Sequence, residues 1–128
     1  MNDWKPSGYP SMSPYVLVDD AEQTIRFIED LFAAQRLRMV PGDQQGKWRH
    51  AELRIDDSVI MIADTVPGYP ARPAHVHMYV RDVDAVHDRA VSLGARSVQH
   101  PVRKGDDDKR GGFEGPGGIT WWVATQRG

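Results

Sequence analysis

Residues 18–22 read VDDAE, and residues 80–84, at a shift of 62 positions, read VRDVD. Identity between the two stretches is sparse, but each follows a short apolar segment and precedes an apolar stripe with the spacing of an amphipathic helix. In each copy an aspartate, Asp20 or Asp82, stands where an N-cap would accept the first free backbone amides. The sequence therefore predicts two tandem copies of one strand–helix unit.

Each predicted helix is followed by segments in which the apolar period changes to two. The helical stripes comprise four residues each, namely Ala21, Ile25, Ile28 and Phe32, then Val83, Val86, Ala90 and Leu93. The alternating segments predict strands over residues 35–40, 47–55 and 58–63 in the first copy, and over 97–102 and 119–125 in the second. A tight turn at residues 56–57 joins two of them.

The middle strand of the second copy is poorly defined. It should fall within residues 104–118, which are rich in Gly and Asp. Gly111 and Gly112 in this stretch are interpreted as turn residues. The predicted fold class is α+β, a single domain over residues 1–128 with two tandem β-α-β-β-β modules at about 9–64 and 75–126. The linker, 65–74, contains three prolines.

The amino-acid composition excludes several classes of partner and of functional site. The chain has 128 residues, a formal net charge of −2, 27% charged residues and no cysteine. This balance argues against a nucleic-acid or anionic-membrane partner, and the lack of cysteine excludes a disulfide scaffold, a thiolate metal site and a cysteine nucleophile. No apolar run reaches the roughly 20 residues that span a bilayer. Residues 1–9 lack the apolar stretch of a signal peptide, and we expect a cytoplasmic protein.

Four stretches resemble one known family. They are SPYVLVDDA at residues 13–21, HAELRIDDSVIM at 50–61, YVRDVDA at 79–85 and TWWVAT at 120–125. These stretches are similar to the strands and helix entries of the vicinal oxygen chelate superfamily, which includes glyoxalase I, extradiol dioxygenases and the bleomycin-resistance proteins. The resemblance implies that the two modules form a curved mixed sheet around a cavity, and that the protein is a homodimer.

Strand parity separates a helix-facing side of the sheet from an open side. The helix-facing side is expected to be apolar throughout, whereas the open side is rich in aromatic and imidazole groups. Such a surface is typical of a ligand pocket with a few fixed polar groups, although the same rings could fill the interior as core. The predicted ligand-binding residues are Tyr15, Trp48, His50, Met61, His75, His77, Tyr79 and Trp122.

The resemblance also implies four metal-ligand positions. Carried over by alignment, they fall on Ser13, Met61, His75 and Trp122, of which only the histidine is a good ligand. We therefore predict no inherited metal site and no cofactor. A site improvised from His75 and His77, with a third ligand nearby, is left open.

Outside the inherited metal-ligand positions, two further histidines and one arginine carry expectations. His50 and Glu52 share a strand face and could form a general-base pair, although a polar pair at the rim of the sheet is the simpler interpretation. His87 is placed near the polar face of the second helix and is expected to be solvated. Arg110 belongs to a charged loop that is interpreted as solvated or as a clamp for an anionic ligand.

Taken together, these features predict a small-molecule-binding protein of the glyoxalase/bleomycin-resistance type. Its cavity would be lined by aromatic and histidine side chains, and a planar or aromatic ligand would suit such walls because stacked rings contribute about 0.5–1.5 kcal/mol per pair. The alternative is a metal-dependent lyase, isomerase or dioxygenase of the same superfamily. The residues that would carry out catalysis are not identified by the sequence.

Overall fold

The computed structural model describes residues 4–105 and 107–126. The chain divides into two compact units, one extending to Ala71 and the other beginning at Arg72. Each unit has one helix and one four-stranded mixed sheet, in the order β-α-β-β-β. The predicted α+β class with two tandem modules is therefore confirmed. Neither helix is long and apolar enough to cross a membrane, within the described residues.

In the first unit the elements are β1 (Tyr15–Val18), α1 (Ala21–Phe32), β2 (Gln35–Pro41), β3 (Trp48–Ile55) and β4 (Ser58–Asp64). The sheet order is β1-β4-β3-β2, with β1 parallel to β4 and the other pairs antiparallel. The predicted β3–β4 turn is confirmed, and Asp56 adopts a positive φ of 53° there.

The second unit repeats this plan with β5 (Ala74–Tyr79), α2 (Val83–Ser92), β6 (Arg96–Arg103), β7 (Asp108–Glu114) and β8 (Ile119–Gln126). The sheet order is β5-β8-β7-β6, again with one parallel pair, β5 with β8. A short 3₁₀ turn at Pro116–Gly118 precedes β8.

Both helices begin at the predicted caps. The side chain of Asp20 accepts from the amide of Gln23 at 3.2 Å, and that of Asp82 accepts from the amide of Ala85 at 3.1 Å. The first amide of each helix has a different acceptor, at the end of the last strand of its own unit. Ala21 N–H donates to Asp64 Oδ1, and the corresponding amide of the second helix donates to Thr125 Oγ1. These bonds satisfy amides that a helix start otherwise leaves without a partner.

The helix-facing sides of the sheets carry the core. Fully buried residues of this side include Val18, Leu53 and Ile62 in the first unit and Trp121 and Val123 in the second. Burying side chains of this kind contributes about 1.5–3 kcal/mol each. The assignment of strand faces for these residues is confirmed.

The structure corrects the interpretation of Gly111 and Gly112. They are buried in the middle of β7 rather than in a turn. A Cβ at Gly112 would lie 2.6 Å from the six-membered ring of Trp122. This ring therefore occupies the space that a side chain at position 112 would need. Glycine is needed at this position because a residue of the neighbouring strand fills the space beside the backbone. The resulting glycine-rich composition resembles that of a turn.

His87 is a second correction, because it is 2% exposed rather than solvated. Its Nε2 lies 2.8 Å from the hydroxyl of Ser97 on β6, and its ring contacts Phe113 edge-on. On α2 the buried stripe is Val83, His87 and Ala90, whereas Val86 is half-buried. Val83 and Ala90 of the predicted stripe are buried as expected, and between them His87 rather than Val86 faces the core.

Candidate functional site

The first unit contains a cavity of about 820 Å³ at the carboxyl ends of β1 and β4. The β2–β3 turn and the residues after β4 complete its walls. Three aromatic side chains contribute to the lining, and so do three acidic and two basic ones: Tyr15, Trp48 and Tyr69; Asp19, Asp43 and Asp64; Lys47 and Arg49. An apolar-walled concavity with a few placed polar groups is typical of a small-molecule site.

Trp48 is held in place from two sides. Its indole N–H donates to Glu22 Oε1 on α1 at 2.8 Å, and its backbone N–H donates to Asp64 Oδ2 at 2.6 Å. Burial by itself would raise the pKa of the Glu22 carboxyl, but hydrogen bonds from Arg26, Trp48 and Arg36 outweigh it and lower that pKa to about 2. Glu22 is therefore an ionised acceptor, and the indole has a fixed orientation at the cavity wall.

The basic groups of the cavity already have acidic or carbonyl partners. Arg49 pairs with Asp43 at 2.8 Å, and Lys47 lies 3.4 Å from the carbonyl oxygen of Asp19 and 3.9 Å from Asp64. The lining thus presents nearly compensated charges beside aromatic rings. A neutral ring system suits such a lining better than an anion does.

Next to this cavity, His50 and Glu52 form a direct pair. Glu52 is 5% exposed, and its Oε2 lies 2.7 Å from His50 Nε2. The other oxygen, Oε1, accepts a short hydrogen bond from the hydroxyl of Tyr9. Burial would raise the pKa of Glu52, but the bonds from Tyr9 and His50 outweigh it, so the pKa lies below its usual range. The bond to Glu52 also raises the pKa of Tyr9.

Tyr15 connects this pair to the cavity. Its hydroxyl lies 3.4 Å from His50 Nδ1, and the two rings are 5.6 Å apart. In the sheet, Tyr15, Met61 and Glu52 are register partners across β1, β4 and β3, so they lie side by side on one face. The sequence missed Tyr9, which precedes every predicted strand and carries no periodic signal.

In the second unit, His75 and Trp122 form a stacked pair. The indole N–H of Trp122 donates to His75 Nδ1 at 3.0 Å, with ring centroids 6.3 Å apart. Because Nδ1 accepts this bond, neutral His75 carries its proton on Nε2. The orientation of the imidazole is therefore determined by the tryptophan.

A second cluster, on β5 and β7, surrounds Arg110. Its Nε donates to His77 Nε2 at 3.1 Å, and its NH2 group donates to Asp108 Oδ2 at 2.7 Å. The same carboxylate oxygen accepts from Tyr79 at 2.8 Å. Burial and the neighbouring guanidinium lower the pKa of His77, whereas the bond to Asp108 raises that of Tyr79. Arg110 lies on β7 and not in a solvated loop.

The eight predicted ligand-binding residues thus fall into two sets. Tyr15, Trp48, His50 and Met61 belong to the first unit, and only the first two line its cavity. His75, His77, Tyr79 and Trp122 lie together on the sheet of the second unit. That one cavity is lined by both sets stays a prediction.

The residues at the inherited metal-ligand positions do not fit a metal. Ser13 offers a lone hydroxyl, Met61 a thioether and Trp122 an indole, none of which replaces a carboxylate or imidazole. His75 Nδ1 is already an acceptor for the indole N–H. Within residues 4–105 and 107–126, no three His, Asp or Glu side chains are grouped closely enough to hold a metal ion. The chain's own residues therefore do not reproduce the family's metal site.

Comparison of the two units shows how the copies have diverged. Glu52 and Gly112 are register partners of Met61 and Trp122, respectively, and occupy corresponding places. The His50–Tyr15 contact of the first unit has an Arg110–His77 contact as its counterpart in the second. The imidazole–carboxylate pair is accordingly present in the first unit alone, among the described residues.

Comparisons with known proteins agree with this architecture. The family model of the glyoxalase/bleomycin resistance protein/dioxygenase superfamily matches residues 12–123. The chain belongs to this superfamily. An uncharacterized protein of Mycobacterium bovis is 35% identical over 123 residues, covering 88% of this chain and 80% of the relative.

Two solved structures show the same fold at low identity. The Pseudomonas aeruginosa protein PA1353 superposes with a TM-score of 0.75 at 17% identity, covering 93% of this chain and 99% of its own. TioX from Micromonospora sp. ML1 superposes with a TM-score of 0.73 at 20% identity, covering 91% of this chain and all of its own (100%).

Proposed function

We propose that the protein binds a small planar aromatic molecule in the cavity of the first unit, and that it does so without a metal. The observation that carries this proposal is the fixed indole of Trp48 at the wall of an 820 Å³ cavity. A ring that is oriented before the ligand arrives loses little conformational freedom on binding, which favours affinity.

The lining supports a neutral rather than an anionic ligand. Both basic side chains are paired, and Asp64 already accepts from two backbone amides and lies near Lys47. The exposed Tyr69 sits on a short turn closed by its own amide bonded to the carbonyl of Val66 at 2.9 Å. Its ring offers a second aromatic surface on the open side of the cavity.

The test is a fluorescence titration with phenylnaphthylamine, a neutral aromatic dye whose emission rises in apolar surroundings. We expect saturable binding to the parent protein and a two- to tenfold weaker affinity for Trp48→Leu, equivalent to about 0.5–1.5 kcal/mol of lost ring stacking. Trp4→Leu is the matched control, because Trp4 does not line the cavity. Equal affinity of the parent and Trp48→Leu would place the dye elsewhere and refute this site.

Membership of the superfamily suggests two additions to the proposal. The protein is proposed to act as a homodimer, and to be a binding protein rather than a metal-dependent enzyme of the superfamily. The mismatch of three of the four inherited ligand positions supports the second part.

A further inference from the structure

The tautomer of His50 follows from its contact with Glu52. Glu52 is buried and ionised, so it accepts hydrogen bonds only, and neutral His50 must carry its proton on Nε2. The remaining nitrogen, Nδ1, then has a free lone pair.

Nδ1 of His50 lies beside Tyr15, which lines the cavity. The distance from Nδ1 to the Tyr15 hydroxyl is 3.4 Å, which is at the long end of the hydrogen-bond range. Tyr15 is 51% exposed and lines the cavity, whereas the His50 side chain is 18% exposed. A ligand beside Tyr15 can therefore displace this weak contact and approach Nδ1.

Stability alone does not account for the buried carboxylate. Burying a charge is unfavourable unless it is paired, and the corresponding place in the second unit is Gly112. The same β-α-β-β-β plan therefore forms without a carboxylate there. His50 and Tyr15 connect one oxygen of Glu52 to the cavity, and Tyr9 donates to the other oxygen. Arg38 adds a favourable charge.

We propose that His50 is a general base, oriented by Glu52, and that Tyr15 donates a hydrogen bond to the negative charge that develops on the ligand. The ligand class is a planar molecule with a weakly acidic C–H beside an electron-withdrawing group. In the step, the C–H proton passes to Nδ1 of His50, the electron pair remains on the ligand, and Glu52 stays ionised. This activity rests on the proposed cavity to hold the ligand.

A nitrobenzisoxazole is the probe, because a single base opens it. The proton on its ring carbon passes to the base, the C–H electron pair forms a nitrile, and the N–O bond breaks to leave a coloured phenolate. We expect a protein-dependent rate that falls about a hundredfold in His50→Ala. His100→Ala, which removes an exposed imidazole, should leave the rate unchanged.

Two further variants test whether Glu52 and Tyr15 support the reaction itself or only the stability of the fold. Glu52→Gln should lower the rate but leave the affinity for phenylnaphthylamine unchanged, because the imidazole loses the ionised acceptor that fixes its tautomer. Tyr15→Phe should reduce the rate less than His50→Ala does. Circular dichroism confirms the fold of each variant, and added imidazole should restore part of the rate in His50→Ala.

Dye binding and turnover distinguish this inference from the proposed function. Binding of phenylnaphthylamine with an elimination rate that does not depend on His50 would overturn the general base and leave the binding site intact. A His50-dependent rate in a protein that does not bind the dye would support the base and count against the aromatic cavity. Equal rates in the parent and His50→Ala refute the inference in either case.

Discussion

Trp122 and His75 lie nearly parallel, with an angle of 9° between their rings and a hydrogen bond from the indole N–H to Nδ1. The preceding residue, Trp121, points to the other side of β8 and is 1% exposed. Adjacent residues of a strand face opposite sides, so one tryptophan belongs to the core and the other to the open-face cluster.

Replacing the two tryptophans should therefore have unequal effects. We expect Trp121→Ala to lower the free energy of unfolding by about 3–5 kcal/mol, since it leaves a cavity in the core. Trp122→Ala should cost about 1–2 kcal/mol, because its ring is only partly packed. Urea denaturation of both variants measures the difference. A larger loss for Trp122→Ala would mean that the two faces have been interchanged.

A methyl group at position 112 tests the contact between β7 and β8. Gly112→Ala should destabilise the protein by about 1–3 kcal/mol, because the new Cβ would lie 2.6 Å from ring atoms of Trp122. In a Trp122→Ala background the same substitution should cost at least about 1 kcal/mol less. A double-mutant cycle by denaturation gives the coupling directly, and additive effects would contradict the contact.

The Glu22 carboxylate should contribute to acid stability. Its pKa is about 2 in the folded protein, against an ordinary value of 4.5, so its contribution is fully present above about pH 4.5 and is lost as the pH falls towards 2. Glu22→Gln should lower the free energy of unfolding at pH 7 by about 1–2 kcal/mol, allowing for solvent screening, and flatten its decline below pH 4.5.

Asp30→Asn on the exposed face of the same helix provides the control for this substitution. It should change the free energy of unfolding by less than about 0.5 kcal/mol. Denaturation curves from pH 7 to pH 2 compare the two variants. A Glu22→Gln curve parallel to that of the parent would show that the carboxylate is not the titrating group.

Assembly can be tested without a ligand. We expect a homodimer, because β1 and β2 leave unpaired edges in the first sheet, β5 and β6 do so in the second, and Val98 and Val102 are exposed on β6. Sedimentation at micromolar concentration should give twice the mass of one chain. A single species with the mass of one chain would refute the prediction.

The regular elements could be predicted because their signals are local. Period, caps and turn residues lie within a few positions of one another, and so the helices and most strands were found. The strand β7 was not, because the ring that fills the space at Gly112 comes from another strand. His87 was misplaced for a similar reason: its partner, Ser97, lies on β6 and follows the helix.

The site shows the same division between local and distant information. The pairing of His50 with Glu52 follows from parity along one strand. The bond from Tyr9 to Glu52 joins residues 43 positions apart in the chain, and no periodic pattern predicts such a contact. Glu22 was likewise not a candidate, because only the folded chain brings it to the indole of Trp48.

The acceptors at the helix starts, Asp64 in one unit and Thr125 in the other, differ in charge but not in place. The internal repeat has thus kept a hydrogen-bond acceptor there rather than a residue type. Because each copy anchors its own helix, the open faces of the two copies were free to diverge. One acquired an imidazole–carboxylate pair, and the other acquired stacked indole and imidazole rings. One repeated architecture thus carries two chemically different surfaces in a single chain.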